Sequence, residues 1–175
     1  MRIDEIIEAC KKGDRQGQKA LYDLYAPKLM GICLRYCKQR EDAEDVLCNG
    51  MHNILTKIHQ YTGEGNFEGW MKRVMINECL MHLRKKKIRF DEITDYMHLE
   101  ASNLSIEEKL IYDDVLKLLD LLPTGYRTVF IMYVIDGYKH REIAEKLDIS
   151  INTSKSQLIL AKKRLQEIVE KKYLT

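Results

Sequence analysis

The most specific chemistry in this sequence lies in Tyr138-Lys139-His140-Arg141-Glu142-Ile143-Ala144-Glu145-Lys146-Leu147-Asp148-Ile149-Ser150-Ile151-Asn152-Thr153-Ser154-Lys155-Ser156-Gln157-Leu158. One helix is predicted to end at Leu147. Ala144 is small where two helices must cross closely. Asp148 occupies a tight turn that needs a left-handed backbone, which Gly takes most easily and Asp tolerates. Ile149 then plugs the turn into the core, and Ser150 or Asn152 caps a second helix. Leu158, Ala161, Leu165 and Ile168 form its inner face. Asn152, Thr153, Lys155, Ser156, Gln157, Lys162 and Lys163 form the outer one. Short polar side chains at a helix start reach base edges in a major groove. Asn and Gln pair with adenine there, and Lys meets guanine or phosphate. The chemistry is recognition of duplex DNA by a helix-turn-helix. The plainer alternative is a helical hairpin with a polar exterior.

Other reactive side chains form weaker patterns. Cys33 and Cys37 lie four apart, as do Cys48 and His52, so on helices each pair faces one way. Nothing at similar spacing completes a metal site, and these positions sit within apolar periodicity, so buried thiols are expected and no metal or other cofactor is called for. His52, His59, His82, His98 and His140 are scattered without a nucleophile or metal pattern, which argues against an enzyme.

These residues need elements to hold them, and nearly every element reads helical. Ile3, Ile6, Ile7 and Cys10 mark a first helix. Asp14 caps a second, with Ala20, Leu21, Leu24 and Tyr25 as its stripe and Pro27 near a break or kink. A helix over 41–59 carries Val46, Leu47, Met51, Ile54, Leu55 and Ile58 at spacings of three or four. Residues 61–69 hold three glycines and read as a loop. A helix follows over 70–89, with Trp70, Val74, Ile76, Leu80 and Leu83 as its core. Residues 90–104 lack a helical stripe and carry four acids and no base, which marks a linker. Ser105 and Glu108 form a capping-box pattern ahead of Leu110, Ile111, Val115, Leu118, Leu119 and Leu122. An apolar helix over 126–135 is stopped by Asp136-Gly137.

The fold class is therefore all-α. Two small helical domains, 1–89 and 105–175, are joined by an acidic linker, and the second contains the helix-turn-helix. The net charge of +2 hides two basic segments. Residues 61–90 hold seven basic and three acidic residues; 137–175 hold nine and five. That pattern suits two separate contacts to a polyanion, and equally two solvated Lys-rich helices. No apolar run is long enough to cross a membrane, so no membrane insertion and a cytoplasmic location are expected.

Three further stretches, in order, resemble bacterial RNA polymerase sigma factors of the sigma-70 family, in the short extracytoplasmic-function (ECF) group. Asp42-Ala43-Glu44-Asp45-Val46-Leu47, with Met51 and Ile54, resembles their core-binding helix. Asn66-Phe67-Glu68-Gly69-Trp70-Met71-Lys72-Arg73-Val74, with Asn77 and Leu83-Arg84-Lys85-Lys86-Lys87, resembles their promoter-melting segment. Leu122-Pro123-Thr124-Gly125-Tyr126-Arg127-Thr128-Val129-Phe130, with Gly137-Tyr138 and Glu142-Ile143-Ala144, resembles their fourth conserved region.

The resemblance implies a non-catalytic specificity subunit that binds core RNA polymerase, through its largest clamp subunit and its flap, and promoter DNA. Asp42, Glu44, Asp45, Val46 and Met51 would dock on polymerase. The same acids favour a helix start simply as N-terminal charges. Asn66 and Phe67 would hold an unpaired base of the minus-ten element, by polar contact and by stacking. Phe67 and Trp70 also serve as core packing. Lys72, Arg73, Asn77, Arg84, Lys85, Lys86 and Lys87 would follow phosphates and the displaced strand. Arg141, Asn152, Thr153, Lys155, Ser156, Gln157 and Lys162 would contact the minus-thirty-five element. The acidic linker would thread the polymerase or act as a solvated tether. An inhibitory anti-sigma factor is implied as a further partner. The rival from the residues alone is a dimeric helix-turn-helix repressor or activator, but no leucine-zipper repeat supports it.

Overall fold

The computed structural model describes residues 2–86 and 112–173. The linker over 90–104, the Ser105–Glu108 capping pattern, Leu110, Ile111 and Lys87 lie outside the described residues. The chain divides into two compact units, Met1–Lys85 and Lys86–Thr175.

The first unit holds α1 (Ile3–Lys11), α2 (Arg15–Tyr36), α3 (Arg40–Lys57), a single 3-10 turn (Ile58–Gln60) and α4 (Phe67–Lys85). Helix α1 buries Ile6, Ile7 and Cys10. Gly13, at φ +75°, lets the chain reverse. The Asp14 carboxylate then accepts the Gly17 N–H at 2.9 Å, the cap expected from its type. A Cβ at Gly17 would collide with the Ala9 side chain and crowd its backbone, so this glycine sets how closely α1 crosses α2.

Helix α2 corrects two expectations. It runs through Pro27 without a break. Pro27 and Asp23, whose carbonyl loses its partner, are both exposed, so the freed group faces water. The inner stripe runs through Leu21, Tyr25, Leu29, Ile32, Cys33 and Tyr36 as their spacing predicts, but Leu24 falls outside it and is 49% exposed. Helix α3 buries Val46, Leu47, Met51 and Ile54 as its periodicity predicts, with Ile58 behind them; Ala43 is buried as well, and Leu55 is only half-buried.

Helix α4 starts three residues earlier than expected. Its inner face is Phe67, Met71, Met75, Ile76, Cys79, Leu80 and Leu83, while Trp70 and Val74 are only half-buried. The methionines fit local gaps. Met75 fills the space that a side chain at Gly50 would take. Four cysteines are buried as expected, but Cys48 is exposed on α3.

The second unit holds α5 (Tyr112–Asp120), α6 (Thr124–Phe130), α7 (His140–Leu147) and α8 (Ile151–Tyr173). Helix α6 widens into a π-type turn over Ile131–Ile135, where the Asp136 N–H reaches back to the Ile131 carbonyl at 2.9 Å. The expected apolar helix is thus only half interior. Ile131 and Met132 are buried, but Tyr133, Val134 and Ile135 are exposed. Helix α8 packs on α5, α6 and α7.

Arg127 is 1% exposed and pairs with Asp120, tying α6 to the end of α5. Asp120 is half-exposed, so it resolvates if the guanidinium is removed. Arg127→Ala is expected to lower the stability of this unit by about 2 kcal/mol, below the usual range for a broken buried pair. A shift in the urea midpoint, followed by circular dichroism, checks this.

Candidate nucleic-acid interface

The turn between α7 and α8 has the geometry its residue types predict. Asp148 sits in the left-handed region at φ 55°, ψ 49°. The Ile149 N–H closes the end of α7 on the Ala144 carbonyl at 3.0 Å. Ile149 itself is half-buried. Ser150, not Asn152, is the cap of α8, its hydroxyl accepting the Thr153 N–H at 2.9 Å. Asn152 lies in the first turn, and its carbonyl accepts the Ser156 hydroxyl at 2.9 Å.

Asn152, Lys155, Lys163 and Arg141 are exposed; Thr153, Ser156 and Lys162 are half-buried. Gln157 departs from expectation. It is 2% exposed and packs with its amide oxygen 3.1 Å from where a Gly125 Cβ would stand. It lies three residues from buried Ser154 and four from buried Ala161, so helical period places it inside despite its polarity. It cannot read a base edge in this fold. The sequence also left His140 without a role. Its Nδ1 lies 2.9 Å from the Ser154 hydroxyl, and its ring stacks on Tyr133 at 4.5 Å.

The Gly-rich loop before α4 is shorter than expected, spanning 61–66. Gly63 and Gly65 have positive φ, and the Tyr61 hydroxyl donates to the Gly65 carbonyl at 2.8 Å. Asn66 is exposed, but its side-chain oxygen accepts the Gly69 N–H at 3.3 Å. It therefore caps α4. Phe67 is buried among Tyr25, Tyr61 and Trp70, with ring centroids 6.2, 5.0 and 5.7 Å away. This corrects Phe67 as a surface stacking residue, since the cluster already covers it. Tyr61 and Trp70 are half-buried and rim the loop, a role the sequence did not suggest. On α4, Arg73, Asn77, Arg84, Lys85 and Lys86 are exposed and Lys72 is half-buried.

Helix α3 presents two faces. Glu44 and Asp45 are exposed, with Cys48, Asn49 and His52 beside them. Arg40 Nε donates to Glu44 at 2.9 Å. Asp42 is half-buried, 3.5 Å from His82 of α4. Val46 and Met51 are 2% and 3% exposed, which corrects them as docking contacts: they anchor the helix to its own core. Among the described residues no three His, Cys, Asp or Glu side chains gather to hold a metal ion. No described helix is long and apolar enough to cross a membrane.

Residues 21–88 match the family model for sigma-70 region 2, and residues 112–165 that for sigma-70 region 4. The chain is 26% identical to the ECF RNA polymerase sigma factor SigW of Bacillus subtilis, over 95% of this chain and 96% of that one. It is 23% identical to the ECF RNA polymerase sigma-E factor of Haemophilus influenzae, over 94% of each. Among solved structures it is similar to the sigma factor RpoE of Bartonella quintana, in complex with the anti-sigma factor NepR. There the TM-score is 0.55 at 22% identity, covering 87% of this chain and 96% of that one.

Proposed function

Because the chain belongs to the sigma-70 family, in its ECF group of RNA polymerase sigma factors, we propose that its two units divide promoter recognition between duplex and single strand. As a sigma factor it serves transcription initiation by RNA polymerase. The observation that carries the division is the turn at Asp148. It delivers Asn152 and Lys155 on the exposed start of a capped helix, with Arg141 exposed on the helix before it.

The second unit takes the minus-thirty-five duplex through Arg141, Asn152, Thr153, Lys155, Ser156 and Lys162. Base edges meet the short polar groups and phosphates meet the lysines. The first unit takes the minus-ten element. Its loop receives one unpaired base at Asn66, beside the rims of Tyr61 and Trp70, and the basic end of α4 follows the strand. Glu44 and Asp45 on α3 dock on the largest clamp subunit of core polymerase, and the second unit meets the flap. The relatives named above are regulatory subunits, and this chain contributes no catalytic group of its own. An anti-sigma factor, as in the structure of the Bartonella relative, restrains it.

Co-elution with bacterial core RNA polymerase at moderate salt tests the reading. A stable one-to-one complex supports it, and none, with the protein shown folded, overturns it. The loop is tested by two variants. Asn66→Ser keeps an acceptor for the cap but loses the amide, so it is expected to keep stability and lose promoter opening. Asn66→Ala loses both, costing about 1 kcal/mol of stability as well. A fluorescent base in the minus-ten region reads opening. Equal losses of opening and duplex binding for Asn66→Ser would remove Asn66 from base capture.

A further inference from the structure

His140 opens α7, and three observations distinguish it. Its Nδ1 is held 2.9 Å from the hydroxyl of Ser154, which is completely buried on α8. Its ring lies nearly parallel to Tyr133, 23° between planes. Its Nε2 has no hydrogen-bond partner among the described residues and is not sealed from solvent. The ring is thus fixed on both sides and presents one nitrogen outward. The charged groups that act on it from α8 are both cations, Lys155 and Lys162. On its own helix Arg141 is exposed, and Glu142 is engaged with the Lys139 N–H at 2.8 Å.

We propose that His140 is a further DNA-contacting residue, whose Nε2 donates to a phosphodiester oxygen of the duplex and whose imidazole takes up a solvent proton as the contact forms. The proposal rests on the reading of the second unit as a duplex-binding face. Lys155 and Lys162 act on this fixed imidazole through their charge, and the positive potential they add suits a phosphate. Burial, and then Lys155 and Lys162, hold the His140 pKa below its ordinary value in the free protein. Both causes favour the neutral imidazole in the free protein. A phosphate placed against the same three groups reverses the local field and raises that pKa. Affinity for DNA is then highest below the free-state pKa and declines as pH rises through the bound-state one.

Fluorescence anisotropy of the full chain on a mixed-sequence duplex tests this across about pH 6 to 8. The wild-type affinity is expected to fall several-fold over that range. His140→Gln is expected to flatten the profile near its high-pH level. Lys155→Ala is expected to weaken binding at every pH and to lower the salt slope by about 0.9, while moving the pH dependence to higher pH without abolishing it. If Lys155→Ala weakens binding but His140→Gln keeps the wild-type profile, the His140 proposal fails and the duplex-binding reading stands. If Lys155→Ala changes neither affinity nor slope, the underlying reading fails. A direct titration guards against a variant that misfolds: the His140 ring resonances of the wild-type chain must shift their midpoint upward when duplex is added. An unmoved midpoint also overturns the proposal.

Discussion

The full chain carrying Glu44→Lys and Asp45→Lys together is expected to elute apart from core RNA polymerase, with its unfolding temperature almost unchanged. Both side chains are exposed on α3 and neither contributes to the core. The exposed Arg40–Glu44 pair is worth at most about 0.5 kcal/mol to the helix. A docking surface that meets these acids with basic groups would meet like charge instead. Juxtaposed like charges cost several kcal/mol, so a loss of about a hundredfold or more in affinity follows. Retention of the double variant by polymerase would assign the docking to another face of the unit.

Ile54→Ala is expected to produce the opposite pattern. Ile54 is fully buried in the same helix, ten residues from Glu44 on the inner stripe. Truncation leaves a cavity costing about 2–5 kcal/mol. That is a large part of the stability of a small domain. Chemical denaturation should show a markedly lower midpoint. The residue should still permit polymerase binding under conditions where the unit remains folded. Met51→Ala should follow Ile54→Ala rather than the charge reversal, because Met51 is equally interior. A Met51 variant that stays stable and loses polymerase would contradict the burial argument.

What was legible in the sequence depended on how far each cause reaches along the chain. Asp14, Asp148 and Ser150 act within a few residues of themselves; the first two roles followed from side-chain type and local backbone needs, and the third was narrowed to Ser150 or Asn152. The stripe of α3 was legible because one face is apolar for its whole length. Gln157 was misplaced because polarity was allowed to outweigh its position in the helical period. The neighbour that receives it, Gly125, lies on another helix. Phe67 was misplaced for a related reason: its cover comes from Tyr25 and Tyr61, residues outside its own helix. Leu24 and Tyr133–Ile135 are apolar yet exposed, which no periodicity announces. His140 acquires its place only when Tyr133 and Ser154 meet it across the helix-turn-helix.

The π-type turn at Ile131–Ile135 makes chain length itself a functional variable. One more residue is accommodated there than a regular helix would hold, marked by the Asp136-to-Ile131 bond. Deleting a residue within it would restore regular winding, and the residues of the turn would then take new places around the helix axis. Tyr133 would swing away from His140, although no residue of α7 or α8 had been altered. A one-residue deletion here is therefore a change of aim, not of composition. Sequence variants of this segment should be compared first by length and only then by residue type.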